Sequence, residues 1–259
     1  MLRNRKFVTM IGGALLSMAA MSAAHAQTVD SFSGSAFGAR ITTPIVPVTL
    51  TLAPVGPLPA AGGTLNNQVA SANVALTGLP VGALLTTGVL TTATSGVNNV
   101  ASSSASVNNL FLNLGGLVPV TLTSSLLTAN SSATCFGVTG SSTILNLMLN
   151  GVTVGVTGAP NQMVDLLGLG SLTINEQITN FSPTHNEITV NALHVRLNPV
   201  AGQSGGDIII SQANSDVNCR TVVNAVNGVI PEPGTLALLG GGLGVPGCLG
   251  ALRRFRRRR

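Results

Sequence analysis

Between Gln27 and Ile230 the chain carries no lysine, and its charged side chains reduce to Arg40, Arg196 and Arg220 against Asp30, Asp165, Glu176, Glu187, Asp207 and Asp216. Long helices in water are built from straight-chain residues such as Lys, Glu and Gln, which lose little rotamer freedom there. This stretch is built instead from Ser, Thr, Asn, Gly and Val, which fit pleated strands and turns. The segment is long enough for one sizeable core. An all-β fold is therefore expected: a single antiparallel β-sandwich-like domain over 27–228, with a β-solenoid as the alternative.

The sharpest local signal is "ILNLMLNGVTVGV". Asn150-Gly151 suits a type I′ turn, which needs positive φ at both central positions. That turn sets Leu149 opposite Val152, Leu147 opposite Val154 and Leu145 opposite Val156, all on one face. "FLNLGGLVPVTLT" reads as a weaker hairpin around Gly115-Gly116, with Val118, Val120 and Leu122 alternating. Strands are also expected at "SLTINEQI", "EITVNALHVRL" and "GDIIIS". In the second of these the apolar phase slips: Ile188 and Val190 share one face, Leu193, Val195 and Leu197 the other. A bulge or strand bend near Ala192 reconciles them. On the unslipped phase, His194 and Arg196 point the same way as Ile188 and Val190. The five prolines of "TTPIVPVTLTLAPVGPLPAAGG" restrict that stretch to a sheet edge or connector.

The remaining charge sits at the two ends. "MLRNRK" followed by "FVTMIGGALLSMAAMSA" has the charged and apolar regions of a secretory signal peptide (1–26). Ala24 and Ala26 are the small residues before a cleavage point at Gln27. Export by the general secretory translocon and cleavage by signal peptidase are expected. Since the middle nets −3 and lacks clustered cations, no phosphate-binding groove is available and nucleic-acid binding is excluded.

At the other end, residues 234–252 are uncharged and would reach about 28 Å as a helix, enough to cross a hydrocarbon core. Arg253, Arg254, Arg256, Arg257, Arg258 and Arg259 follow, and such a cluster stops transfer and stays cytoplasmic. The span holds seven glycines and Pro246, so the arginines retain it more than its apolarity does. "IPEPGTLALLG…ALRRFRRRR" resembles the PEP-CTERM sorting signal, here 229–259, with Pro231, Glu232 and Pro233 as the recognition motif. Pro246 and Cys248 depart from the leucine-rich helix usual in that family. The resemblance implies removal of the tail by a membrane-embedded exosortase. It further implies passage from an inner-membrane intermediate to the cell surface or extracellular matrix of a Gram-negative bacterium.

Two cysteines lie in the exported segment, Cys135 and Cys219. An oxidising compartment would join them across a loop of about 84 residues, contributing about 4 to 5 kcal/mol by the chain-entropy relation. Two separate buried thiols are the alternative. "SGSAFGAR", "TINEQIT", "ITVNALHV" and "GGDIIISQANSDVNC" together resemble the choice-of-anchor P family of exported bacterial proteins. That resemblance implies no catalytic residues and no activity.

Candidate chemistry is sparse. His194 and Arg196 could jointly bind a carboxylate. Glu176 and Glu187 could form a glycosidase-like pair, and Asp207, Asn214, Asp216 and Asn218 offer calcium ligands without an organising loop. No Gly-x-Ser-x-Gly elbow occurs, and no clustered His/Cys set suits zinc. No cofactor or metal is expected. Lacking Trp and Tyr, the chain has no aromatic sugar platform. Its hydroxyl- and amide-rich surface favours weak polar contacts and self-association. The expectation is a non-enzymatic surface or matrix protein with a structural or adhesive role in exopolysaccharide or biofilm. The alternative is a secreted hydrolase or a small-ligand or calcium-binding module.

Overall fold

The computed structural model describes residues 26–43, 48–76, 79, 82–115, 119–199 and 205–222. In chain order these contain β1 (Ala26–Thr43), β2 (Val48–Leu52), β3 (Gly63–Val69), β4 (Ala72–Leu76), β5 (Ala83–Thr87), β6 (Leu90–Val97), β7 (Val100–Leu114) and β8 (Val120–Thr134). There follow β9 (Gly137–Leu145), β10 (Met148–Leu149), β11 (Val152–Thr153), β12 (Gln162–Asp165), β13 (Gly170–Phe181), β14 (His185–Leu197) and β15 (Asp207–Val222). The described residues are all-β, in antiparallel sheets that do not close into a barrel. The signal-peptide residues through His25, the Pro231-Glu232-Pro233 motif, the span 234–252 and the arginine cluster lie outside the described residues.

One sheet has six strands in the order β12-β13-β14-β15-β1-β2. The proline-restricted stretch supplies β2, which ends this sheet as an edge strand. The other sheet runs β11-β10-β8-β7-β5-β4, with β6 on β7, β3 on β6 and β9 on β8. Its nine strands occupy fewer positions than that. Val69↔Leu90 continues into Ala72↔Thr87 with no change of register, so β3/β4 and β5/β6 are each one interrupted length of chain. The same holds for β9/β10 along β8, where Leu126↔Leu145 and Thr123↔Met148 share one register.

These interruptions form a line across each sheet where side-chain alternation inverts. In β7 the inward residues are Ala101, Ser103, Ala105 and Val107, and then Leu110, Leu112 and Leu114. The change falls at Asn109, whose φ is 49°. Its register neighbours are Ser125 in β8 and then Asn146, with φ 54°. The six-stranded sheet has a matching line through Asn161, Asn175, Ala192 and Ser211, three of which have φ near 60°, 52° and 58° respectively. A left-handed residue within an extended chain reverses the facing of all later side chains, and Asn tolerates that conformation better than most. A bulge would instead insert a residue and shift the pairing. Here Glu176↔Asn191 and Ile174↔Leu193 keep one register, so the slip expected at Ala192 is a bend.

The same device limits the Asn150-Gly151 hairpin. Its turn has φ of 50° and 78°, and Leu149 pairs with Val152 as expected. The Val154 amide donates to the Leu147 carbonyl at 2.8 Å. Leu145 does not join them: it pairs with Leu126 and is 46 % exposed, because Asn146 inverts the phase between Leu145 and Leu147. Around Gly115-Gly116 the hairpin exists, but Leu114↔Val120 requires a longer connection than a two-residue turn.

Both sheets contribute to a shared core. On one side of the inversion lines it is bulky, with Leu85, Leu112, Leu122, Leu172, Ile174, Leu193 and Ile210 fully buried. On the other side Leu90, Leu127, Ile188 and Val190 continue it next to the lines, and beyond them the facing residues are small and several are hydroxylic. Ser131 and Ser215 bond across at 2.8 Å, Ser103 donates to the Asn214 carbonyl at 2.6 Å, and Ser211 donates to the Ala105 carbonyl at 2.9 Å. Small side chains let the two backbones approach until one hydroxyl spans the gap, which satisfies groups that would be costly to bury unpaired. Gly34 belongs to this tight end: a Cβ there would lie 2.6 Å from Thr94 Oγ1. Cys135 and Cys219 are joined in a disulfide that ties the end of β8 to β15, one sheet to the other.

Candidate functional site

The inversion at Ala192 decides what the outer face of the six-stranded sheet presents. Ile188 and Val190 turn inward with Leu193 and Val195, while Asn191, His194 and Arg196 turn outward. His194 and Arg196 therefore do not share a face with Ile188 and Val190, because the expected phase ignored the left-handed neighbours of Ala192. The two do point the same way, and the carboxylate they hold belongs to the chain itself. Glu176 Oε2 accepts from His194 Nδ1 at 2.7 Å and from Asn191 Nδ2 at 2.6 Å, and Glu176 Oε1 accepts from Arg196 at 2.8 Å. On its far side His194 Nε2 lies 3.1 Å from Asp207 Oδ1. Gln212 completes the set by donating to Asn191 Oδ1 at 2.7 Å.

Glu176 and His194 are both buried. Burial by itself would raise the Glu176 carboxyl, but hydrogen bonds from His194 and Asn191, with the charges of His194 and Arg196, outweigh it and hold the group below the ordinary glutamate value. Both ring nitrogens of His194 face carboxylate oxygens, so the imidazole has no open nitrogen for a substrate. The cluster floors a concavity of about 370 Å³, whose rim includes Arg40 and Thr42 of β1. Arg40 lies over the Phe37 ring at 4.6 Å.

Glu187 is not the partner of Glu176. It pairs with Asn180, four residues along β13, which places it about 13 Å away at the strand rise. Glu187 instead accepts from Asn214 Nδ2 at 2.9 Å. Asn214, Asp216 and Asn218 do share the outer face of β15, but Asp207 sits at the opposite end of that strand, beside His194. The four expected calcium ligands thus fall into two places. Asp216 Oδ1 approaches His185 Nδ1 at 3.2 Å as an ion pair without completing a hydrogen bond. Burial raises the Asp216 carboxyl, with the nearby Glu187 charge adding to this and His185 opposing it. Among the described residues, no three His, Cys, Asp or Glu side chains are arranged to hold a metal ion.

The nine-stranded sheet presents something different outward. On the small-residue side of its inversion line, the registers of β3, β6, β7, β8 and β9 align side chains into transverse ranks. One rank is Thr64, Ser95, Ser102, Ser132 and Thr139. The next is Asn66, Ala93, Ser104, Asn130 and Ser141. The third is Gln68, Thr91, Ser106, Thr128 and Thr143. Every position except Ala93 carries a hydroxyl or an amide, and none carries a charge. Strand spacing sets neighbours in a rank about 4.8 Å apart, and ranks follow at about twice the rise per residue. Within the array Ser102 bonds Ser132 at 3.5 Å, and Thr128 Oγ1 accepts from the Thr143 amide at 3.2 Å. Two shallow concavities of about 520 and 450 Å³ lie over it and share Ala93, Ser104 and Asn130.

The sequence signal for this array was the period-two pattern of "TTATSGVNNVASSSASVNN", folded about Asn98-Asn99. Both asparagines have positive φ, 52° and 62°, and Val97 pairs with Val100, a two-residue turn of the kind seen at Asn150-Gly151. Ser and Ala alternation lacks the apolar contrast that marks a half-buried strand, so composition alone does not single these strands out. No protein-family model matches the chain, and no curated protein matches it.

Proposed function

We propose that this chain is an exported, non-enzymatic surface or matrix protein of a Gram-negative bacterium, with a β-sandwich-like body addressed by its two ends. In this reading the translocon and signal peptidase act at the N-terminus, cleaving after Ala26. The Pro231-Glu232-Pro233 motif, the span 234–252 and the arginines form a PEP-CTERM signal that an exosortase removes at the inner membrane. The body then takes a structural or adhesive role in exopolysaccharide. Antiparallel hairpin connectivity favours the sandwich over a solenoid, whose coils stack in parallel.

The single observation that carries the reading is the Cys135–Cys219 disulfide. Structural disulfides persist in oxidising compartments and are rare in reducing ones. An export signal at one end and such a clasp in the body are therefore consistent with each other. The closed hydrogen bonding of His194 supports a structural role for the one histidine that is buried among the described residues, in place of a catalytic one.

Intact-mass measurement on protein recovered from the surface and medium of an exporting Gram-negative host that has an exosortase tests the proposal. The expected species begins at Gln27, lacks the arginine cluster and is two hydrogens lighter than its reduced form. Replacing Pro231, Glu232 and Pro233 by alanine should retain the protein in the membrane fraction. Unchanged release of that variant sinks the sorting assignment.

A further inference from the structure

We infer that the ranked outer face of the nine-stranded sheet is a binding surface for a neutral, extended polysaccharide chain lying along the ranks, across the strands. The inference rests on the exported matrix reading above and gives it a partner and a site.

Two observations argue against the other chemistries. No charged side chain stands in the array, so an anionic polymer, a nucleic acid or a charged headgroup would meet no counter-charge. Large aliphatic side chains stand outward only at the margins of the ranks, Val97 beyond Ser95 and Leu145 beyond Thr143, so a lipid or an apolar peptide would find no continuous apolar patch to bury. What remains is a dense set of groups that both donate and accept, held by the sheet and not by their own flexibility. Short Ser and Thr side chains lose little rotamer entropy on contact. Their partner must likewise carry closely spaced groups that donate and accept, and a polyhydroxylated polymer does.

Dimensions agree. The spacing of about 4.8 Å between neighbours in a rank is close to the length of one β-linked pyranose unit in an extended chain, so successive sugars would meet successive strands. Ranks on either side of Ser104 and Asn130 set the trough's width. Each hydrogen bond exchanged with water contributes little, so affinity comes from the number of sugars engaged at once. Binding would therefore grow with chain length and change little with salt.

The test uses the chain as recovered from the same host, its intact mass recorded first, with microcrystalline cellulose as the insoluble probe and hydroxyethylcellulose and alginate as soluble ones. Retention on cellulose and retardation by hydroxyethylcellulose are expected, nearly unchanged from 50 mM to 500 mM salt, with none by alginate. The double variant Ser104→Glu/Asn130→Glu should bind at least tenfold more weakly. Thr123→Glu, on the same sheet beyond the inversion line, should bind as the unaltered chain does. Circular dichroism and an intact disulfide certify folding of both variants. Absence of retention on the neutral polymers overturns the inference, as does equal retention of the double variant. Loss of self-association in the double variant without any polymer binding overturns it in favour of a second copy. A chain correctly exported and trimmed that ignores cellulose sinks this inference alone. A chain never exported sinks the reading beneath it.

Discussion

Glu176 keeps its charge while buried because each of its oxygens is met by a donor: His194 and Asn191 on one, Arg196 on the other. Remove one donor and the carboxylate stays buried with less compensation, the situation in which buried pairs become expensive. His194→Ala should cost about 3 kcal/mol of unfolding free energy at pH 7, read by urea denaturation. The group's depressed pKa gives this contribution a pH signature. The stability it confers is complete above the unfolded-chain value of about 4.3 and is lost as pH falls through the lower folded value. Glu176→Gln should therefore be less stable than the unaltered chain at pH 7, with the gap closing as pH falls below the unfolded-chain value and through the lower folded one. A gap that stays constant over that range would show that the charge is not what Glu176 contributes.

Among the elements, the long strands are ruled by a few left-handed residues that no alternation count anticipates. Asn109 sits at φ 49° in mid-strand, where a β-branched side chain is strained by about 1 to 2 kcal/mol. Asn109→Val should destabilise by about that amount, and Asn109→Gly by only a few tenths, in chemical denaturation. If the two variants behave alike, backbone conformation is not what Asn109 supplies. The positions of β13, β14 and β15 were legible in "SLTINEQI", "EITVNALHVRL" and "GDIIIS" because β-branched runs stand out from their surroundings. The need for a bend at Ala192 was legible too. Which way His194 faces relative to Ile188 was not, since the left-handed residues are Asn175 and Ser211 on the flanking strands, and neighbours across a sheet are invisible along one strand. The Glu176 cluster is legible only in part, as a carboxylate held by His194 and Arg196: that Glu176 supplies it is hidden for the same reason, since its members come from three strands and meet only through register. The hydroxyl array needed five strands to align.

At the scale of the whole molecule, two sheets with a bulky core at one end and a hydroxyl-bridged seam at the other are closed by one covalent tie. The tight end buries small side chains, each contributing less on burial than a leucine. The clasp lies at that end, with Ala101, Ala133, Val217 and the two cysteines forming their own small cluster. Reduction of Cys135–Cys219 should lower the unfolding free energy by at most about 4 to 5 kcal/mol, measured by denaturation with and without reductant. A reduced chain of unchanged stability would mean that the seam holds without its tie.

β15 runs through the interior of its sheet, between β14 and β1, and Cys219 stands three residues before its last residue, Val222. Tension drawn on the chain from beyond Val222 would thus meet a covalent junction almost at once. It would pass through sulfur into β8 and be divided between two sheets before it could unzip the hydrogen-bond ladder of either. Pulled from its trailing end, the body is in this arrangement gripped where its two sheets are covalently joined.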